Sequence, residues 1–185
     1  MTEKALKRIA KIEQRCATLA DVVSSIRSVY SKSNDTQKEY IETMIGAAIW
    51  YIPKPQDAWT GFISFAALKA FHPDSGVAKP KFSEEHVYPR KVAARILLSN
   101  EELNGKSMVS LFLEKYGKVH YLTSDENKAA QPHQRVGVFT SPDNAYIKAG
   151  IELIPVMTED LNQIKKRDRS VIDKYLYYNK ENRNV

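Results

Sequence analysis

Cysteine is nearly missing from this chain: Cys16 is the only one among 185 residues. A single thiol excludes an intramolecular disulfide and any cysteine-based zinc site, and this usage suits a reducing cytoplasm. No run approaches the ~18 apolar residues of a membrane span, and the charged N-terminus lacks the apolar stretch of a secretory signal. We therefore expect a cytoplasmic protein with no membrane partner. Internal repeats and low-complexity tracts are also absent from the sequence, which excludes solenoids and collagen-like or linker-like architectures. Histidine is scarce, so the few positions that could titrate near neutrality are quickly enumerated: His72, His86, His120 and His133.

What is present is ordinary for a globular protein, with 43% apolar and 27% charged residues. A chain this long can bury one good core, with or without a helical extension. Its net charge of +6 is compatible with a polyanionic partner. From Thr2 to about Tyr30, Ala5, Ile9, Ile12, Cys16, Leu19, Val23, Ile26 and Tyr30 recur at alternating spacings of four and three. That places them on one stripe of a long helix. The stripe suits either packing on the rest of the chain or a homodimer seam. Lys4, Lys7, Arg8, Lys11 and Arg15 occupy the opposite face.

Asp35 or Thr36 caps a second helix running to about Trp50, which Pro53 and Pro55 end. Phe62, Phe65, Leu68 and Phe71 predict a third short helix within 59–71. The prolines, glycine and charges of 72–81 read as a loop and an internal boundary. Further helices are expected over 91–98 and 107–116, and Val136 to Phe139 looks extended. Ser141, Pro142 and Asp143 start a helix that Gly150 ends. Thr158 to about Asn182 reads as one C-terminal helix carrying the densest basic cluster, Lys165, Lys166, Arg167, Arg169 and Lys174. Such residues suit phosphate contacts, although a solvated helix face needs the same composition.

Residues 82–133 carry the chemistry. Glu85 and His86 close a short strand-like run that Pro89 follows, so two polar side chains are expected beside each other at a strand end. Val119 to Leu122 reads as a second strand. Thr123, Ser124 and Asp125 then give a helix-start signal ahead of Glu126 and Asn127. This strand, connection, strand and helix resembles the ββα-metal core of the HNH endonucleases, over roughly a third of the chain. Glu85, His86 and Pro89 match the acidic residue, general-base histidine and proline of that family's first strand. Asn127 stands in its helix-borne metal-ligand position. The family's middle asparagine has no counterpart, though His120 lies near its expected place. The connection between the motif halves is long, with a helical pair inserted, and the paired CxxC motifs of some members are missing.

The resemblance implies a metal-dependent DNA endonuclease in which His86 activates water while Glu85 and Asn127 hold one Mg²⁺ or Mn²⁺. Oxygen ligands are those such a cation prefers. Arg90, Lys91 and Lys128 lie near enough in sequence to steer a phosphate, with Lys165, Lys166, Arg167 and Arg169 as further DNA contacts. His120, Glu126 and His133 are secondary site candidates. The expected fold is α+β and helix-rich, with a small HNH-like core and a long N-terminal helix. Its expected divisions are a helical region over 1–78, the core with its insertion over 79–157 and a basic helix over 158–185. Two other readings fit the residues: an inactive HNH-like protein that binds nucleic acid, and a helical interaction protein that assembles through its N-terminal stripe. The size and charge suit a phage or mobile-element product.

Overall fold

Residues 2–181 are described from a computed structural model. The elements in chain order are α1 (Glu3–Lys32), α2 (Asp35–Trp50), β1 (Trp59–Ser64), α3 (Phe65–Phe71), β2 (Ser83–His86), α4 (Arg90–Ser99) and α5 (Gly105–Leu111). A π-helical turn (Phe112–Tyr116) extends α5, and β3 (Val119–Leu122), α6 (Ser124–Ala130), α7 (Pro142–Lys148), β4 (Leu153–Pro155), α8 (Leu161–Lys165) and α9 (Arg169–Glu181) follow. The protein is α+β, with a long N-terminal helix and a four-stranded mixed sheet. No described helix is long and apolar enough to cross a membrane.

Helix starts follow local side-chain chemistry. Thr2, Asn34, Asn104, Thr123 and Ser141 each accept a first-turn amide with a side-chain oxygen. At Asn34, Asn104 and Thr123 the third helical residue returns the bond, so two otherwise orphaned backbone donors are satisfied together.

The chain forms two compact units that are interleaved in sequence. One takes residues up to 58, 86–118 and 134–139; the other takes 59–85, 119–133 and residues from 140 onward. The contiguous divisions at 78 and 157 expected above do not coincide with them. In the first unit α1 packs on α5, α2 and α4. Ile12, Cys16, Leu19 and Val23 of the α1 stripe are buried together with Ile45, Ile49, Leu97, Leu98, Met108 and Phe112. Those four stripe residues are therefore spent inside the unit. A Cβ placed on Gly46 would lie 3.2 Å from the Arg90 carbonyl group, so glycine permits the close approach of α2 to α4. Glu42, 1% exposed, is held by the Tyr30 hydroxyl at 2.7 Å and Arg95 Nε at 2.8 Å.

In the second unit the strand order is β2-β3-β1-β4, with β1 parallel to β3 and antiparallel to β4. One face carries Trp59, Ile63, Phe82 and Tyr121 against apolar residues of α3, α8 and α9. The rings form a stack, with centroids 4.1 Å apart for Phe71 and Phe82, 4.8 Å for Phe82 and Tyr121, and 5.5 Å for Trp59 and Tyr121. The opposite face packs Leu122 against Ala130, Tyr146 and Ile151.

Four expectations are corrected, beginning with the cap of α2, which is Asn34 rather than Asp35 or Thr36. The helix expected over 59–71 is strand β1 followed by α3, divided where the Ser64 hydroxyl accepts the Ala67 amide. Pairing with β3 and β4 outweighs the three-residue apolar spacing there. Residues 136–139 turn rather than extend. Gly137 has φ 90°, and the amides of Val138 and Phe139 both donate to the Arg135 carbonyl at 3.0 Å. The C-terminal helix is broken into α8 and α9 at Arg167, whose φ is 64°. Asp168 Oδ1 then accepts the amides of Ser170 and Val171 and starts α9. The expected end at Asn182 lies outside the described residues. Beyond these corrections, β4 has no clear signal in the sequence, being three residues long with a proline at its end.

Candidate active site

Strand β2 brings the acidic candidate to the sheet and passes the histidine to the other unit, since the boundary falls between Glu85 and His86. Successive strand residues point to opposite faces, so Ser83 and Glu85 share one side of β2 and Glu84 lies on the other.

On the Glu85 side, Asn127 of α6 donates from Nδ2 to Ser83 Oγ at 3.0 Å. Glu85 lies on the face that Asn127 meets, is 9% exposed, and raises the pKa of the Tyr146 hydroxyl alongside the dominant effect of burial. His120 of β3 is on this face as well. Its Nδ1 is 2.5 Å from Thr60 Oγ1, and its ring meets the edges of Phe62 and Tyr146 at centroid distances of 5.5 and 5.3 Å. Burial pushes the imidazole down to about 4, against an opposing pull from Asp143, so His120 is neutral at pH 7. Thr60 and Tyr146 are the members of this constellation that the sequence did not flag. Residues 59–64 show no polar–apolar alternation that would have picked out Thr60.

Glu126 is committed to structure. Its Oε2 accepts the Thr123 amide and hydroxyl, both at 2.9 Å, and the Ser64 hydroxyl at 2.5 Å, tying the start of α6 to the β1–α3 junction. His133 is half-buried in the 3₁₀ turn after α6. Among the described residues no group of three His, Cys, Asp or Glu side chains could hold a metal. What the Glu85 face offers is one carboxylate and the Asn127 amide, whose Oδ1 is not used by the bond to Ser83. Two hard oxygen donors match a Mg²⁺-type ion that keeps most of its waters, and they do not match a closed zinc or calcium site.

In the first unit, His86 is half-buried, with Nδ1 3.4 Å from the Tyr116 carbonyl. A carbonyl only accepts, so this contact favours the tautomer with its proton on Nδ1 and its lone pair on Nε2. The His86 ring lies 4.8 Å from that of Trp50 at an interplanar angle of 57°. The Arg90 guanidinium sits 4.7 Å and Lys54 Nζ 5.5 Å from the Trp50 centroid. Lys115 Nζ is 4.2 Å from the centre of the Tyr88 ring.

The remaining basic candidates divide by what they touch. Arg167 donates to the carbonyls of His72, Pro73 and Ala78, and Arg169 forks onto Asp74 at 2.6 and 2.5 Å. Both serve the second unit's own structure. Lys91 pairs with Glu39 at 2.9 Å and Lys128 with Asp125 at 3.4 Å. Lys165 Nζ lies 5.6 Å from the centre of the Tyr121 ring, and Lys166 is exposed. No protein-family model, curated protein or solved structure matches the chain.

Proposed function

We propose that the protein is a metal-dependent endonuclease that hydrolyses DNA phosphodiester bonds. The reading rests chiefly on β2 lying beside β3, on α6 starting directly after β3, and on Asn127 of that helix reaching the Glu85 face of β2. Glu85 and Asn127 would hold a Mg²⁺ or Mn²⁺ ion. When bound, such an ion stabilises charge on the phosphate and the leaving oxygen.

The chain's own contribution is general-base chemistry. His86 receives the proton of the attacking water at Nε2, and its Nδ1–H faces the Tyr116 carbonyl, which favours the required tautomer and steadies the ring. His120 is the poorer base because its depressed pKa weakens its hold on a proton. We assign it a positioning role on the Glu85 face.

The test is a supercoiled plasmid incubated with the protein in Mg²⁺, Mn²⁺ or EDTA. Metal-dependent relaxation or linearisation is expected, and His86→Ala should lower the rate roughly 10²- to 10⁴-fold. Undiminished cutting by that variant removes His86 from the reaction. Absence of cutting with any metal removes the nuclease reading and favours a second one, a nucleic-acid-binding protein on the same scaffold. The cations around Trp50 and Tyr88 support that alternative, because they need no metal to attract a polyanion.

A further inference from the structure

The surface around Trp50 is more than a basic patch. Trp50 ends α2 with 45% of its surface exposed, a large display for a side chain that usually buries its ring. Arg90 and Lys54 lie against the indole, and Lys115 lies against Tyr88 and, at 5.8 Å, Tyr116. Neither Arg90 nor Lys115 forms an ion pair with a carboxylate among the described residues. Their charge is therefore available to a ligand rather than cancelled in place. Tyr88 is braced edge-on by Tyr116 and Phe139, at centroid distances of 5.8 and 5.9 Å, so it is fixed by packing. All these groups belong to the first unit, and the ring of His86 is in contact with Trp50.

Flat aromatic surface interleaved with cations has a specific chemical complement: a polyanion that also carries flat π-faces. A protein partner with acidic side chains would satisfy the charges but leave the indole without a planar counterpart. Within a duplex the base faces are already stacked on one another, so an indole reaches them only where a base is unpaired or turned out. We infer that Trp50 is a stacking platform for an unpaired base of a single strand, with Arg90 and Lys115 on the flanking phosphates. This rests on the nuclease reading only for its consequence, that the strand presented to His86 is single-stranded or locally opened.

The test reads binding, not cutting. The full-length protein is titrated in EDTA into a labelled oligothymidylate of about 20 nucleotides and, separately, into a blunt duplex of the same length. Trp50→Ala should weaken oligothymidylate binding about tenfold and duplex binding less than about twofold, while Trp50→Phe, which keeps a ring, stays within about threefold of the parent. Melting curves of the variants identify loss of folded protein, and if the alanine variant unfolds, Trp50→Leu, apolar but without a ring, takes its place with the same expected loss. Equal losses on both ligands, no effect of either substitution, or no binding of oligothymidylate by the parent would overturn the inference. Plasmid cutting that persists alongside any of those results leaves the nuclease standing alone. Trp50-dependent strand binding without cutting under any metal leaves this inference standing alone.

Discussion

His120 shows how one residue's surroundings decide its chemistry. Its side chain bonds Thr60 and sits between two aromatic rings, and at 6% exposure it has almost no water to solvate a charge. The imidazole is therefore pushed from an ordinary 6.5 to about 4. Between those values the unfolded chain binds a proton that the folded chain does not. Stability is complete above pH 6.5 and falls as the pH drops toward 4, by on the order of 3 kcal/mol in all. Carboxylates held low by neighbouring cations, such as Asp57 and Asp74, lose their contribution at lower pH, below about 4. Urea midpoints measured from pH 7.5 to 4.5 should fall in the parent and stay nearly level in His120→Gln, which keeps a polar partner for Thr60. Parallel slopes in the two proteins would show that the histidine is not the group being titrated.

The same scale explains what became of the expected site. Glu85, His86 and Asn127 are where a reading of strands and caps puts them, at the ends of β2 and in the first turns of α6. That Ser83 and Glu85 share one face of β2 follows from strand alternation. Glu126 could not be assigned from sequence, because a glutamate three residues after a capping threonine suits both a ligand and a capping box. Its bond to Ser64, 62 residues away, identifies the cap.

At the scale of elements, α8 and α9 are separated by a single residue in an unusual conformation. A non-glycine residue at φ 64° is uncommon and costs energy unless its surroundings hold it. Arg167 is held by three backbone carbonyls of the loop after α3, which accept hydrogen bonds from its guanidinium. Arg167→Ala should destabilise the protein by roughly 2–4 kcal/mol, since charge-assisted bonds are lost and the carbonyls lose their partner. Arg167→Gly removes the conformational cost as well as the bonds and should lose less. Thermal or urea unfolding of the two variants orders them. Equal losses would mean that the backbone conformation carries no cost.

At the scale of the whole molecule, the division of the chain is not readable as a cut along it. The first unit's core joins Ile12, Cys16, Leu19 and Val23 of α1 to Leu97, Leu98, Met108 and Phe112, which arrive after the chain has contributed β1, α3 and most of β2 to the second unit. A fragment of residues 1–78, the helical region suggested by the loop at 72–81, therefore lacks α4 and α5 and carries β1 without its partners β3 and β4. Such a fragment should show partial helicity without a cooperative melt, whereas the full chain melts cooperatively. A sharp unfolding transition in the fragment would refute the interleaved organisation.

The sequence by itself determined the starts of α6 and α7, the length and buried stripe of α1, the two strands flanking the long connection, and the α+β class. These depend on side-chain chemistry within a few residues: a capping oxygen, a repeat of three and four, a proline, a glycine. Only the tertiary structure decided that 59–64 is a strand, that 153–155 completes the sheet, that Arg167 breaks the last helix, and which cations are spent on carbonyls and carboxylates. Each of those outcomes depends on a partner brought from far along the chain, so no local window of residues contains the interaction that settles it.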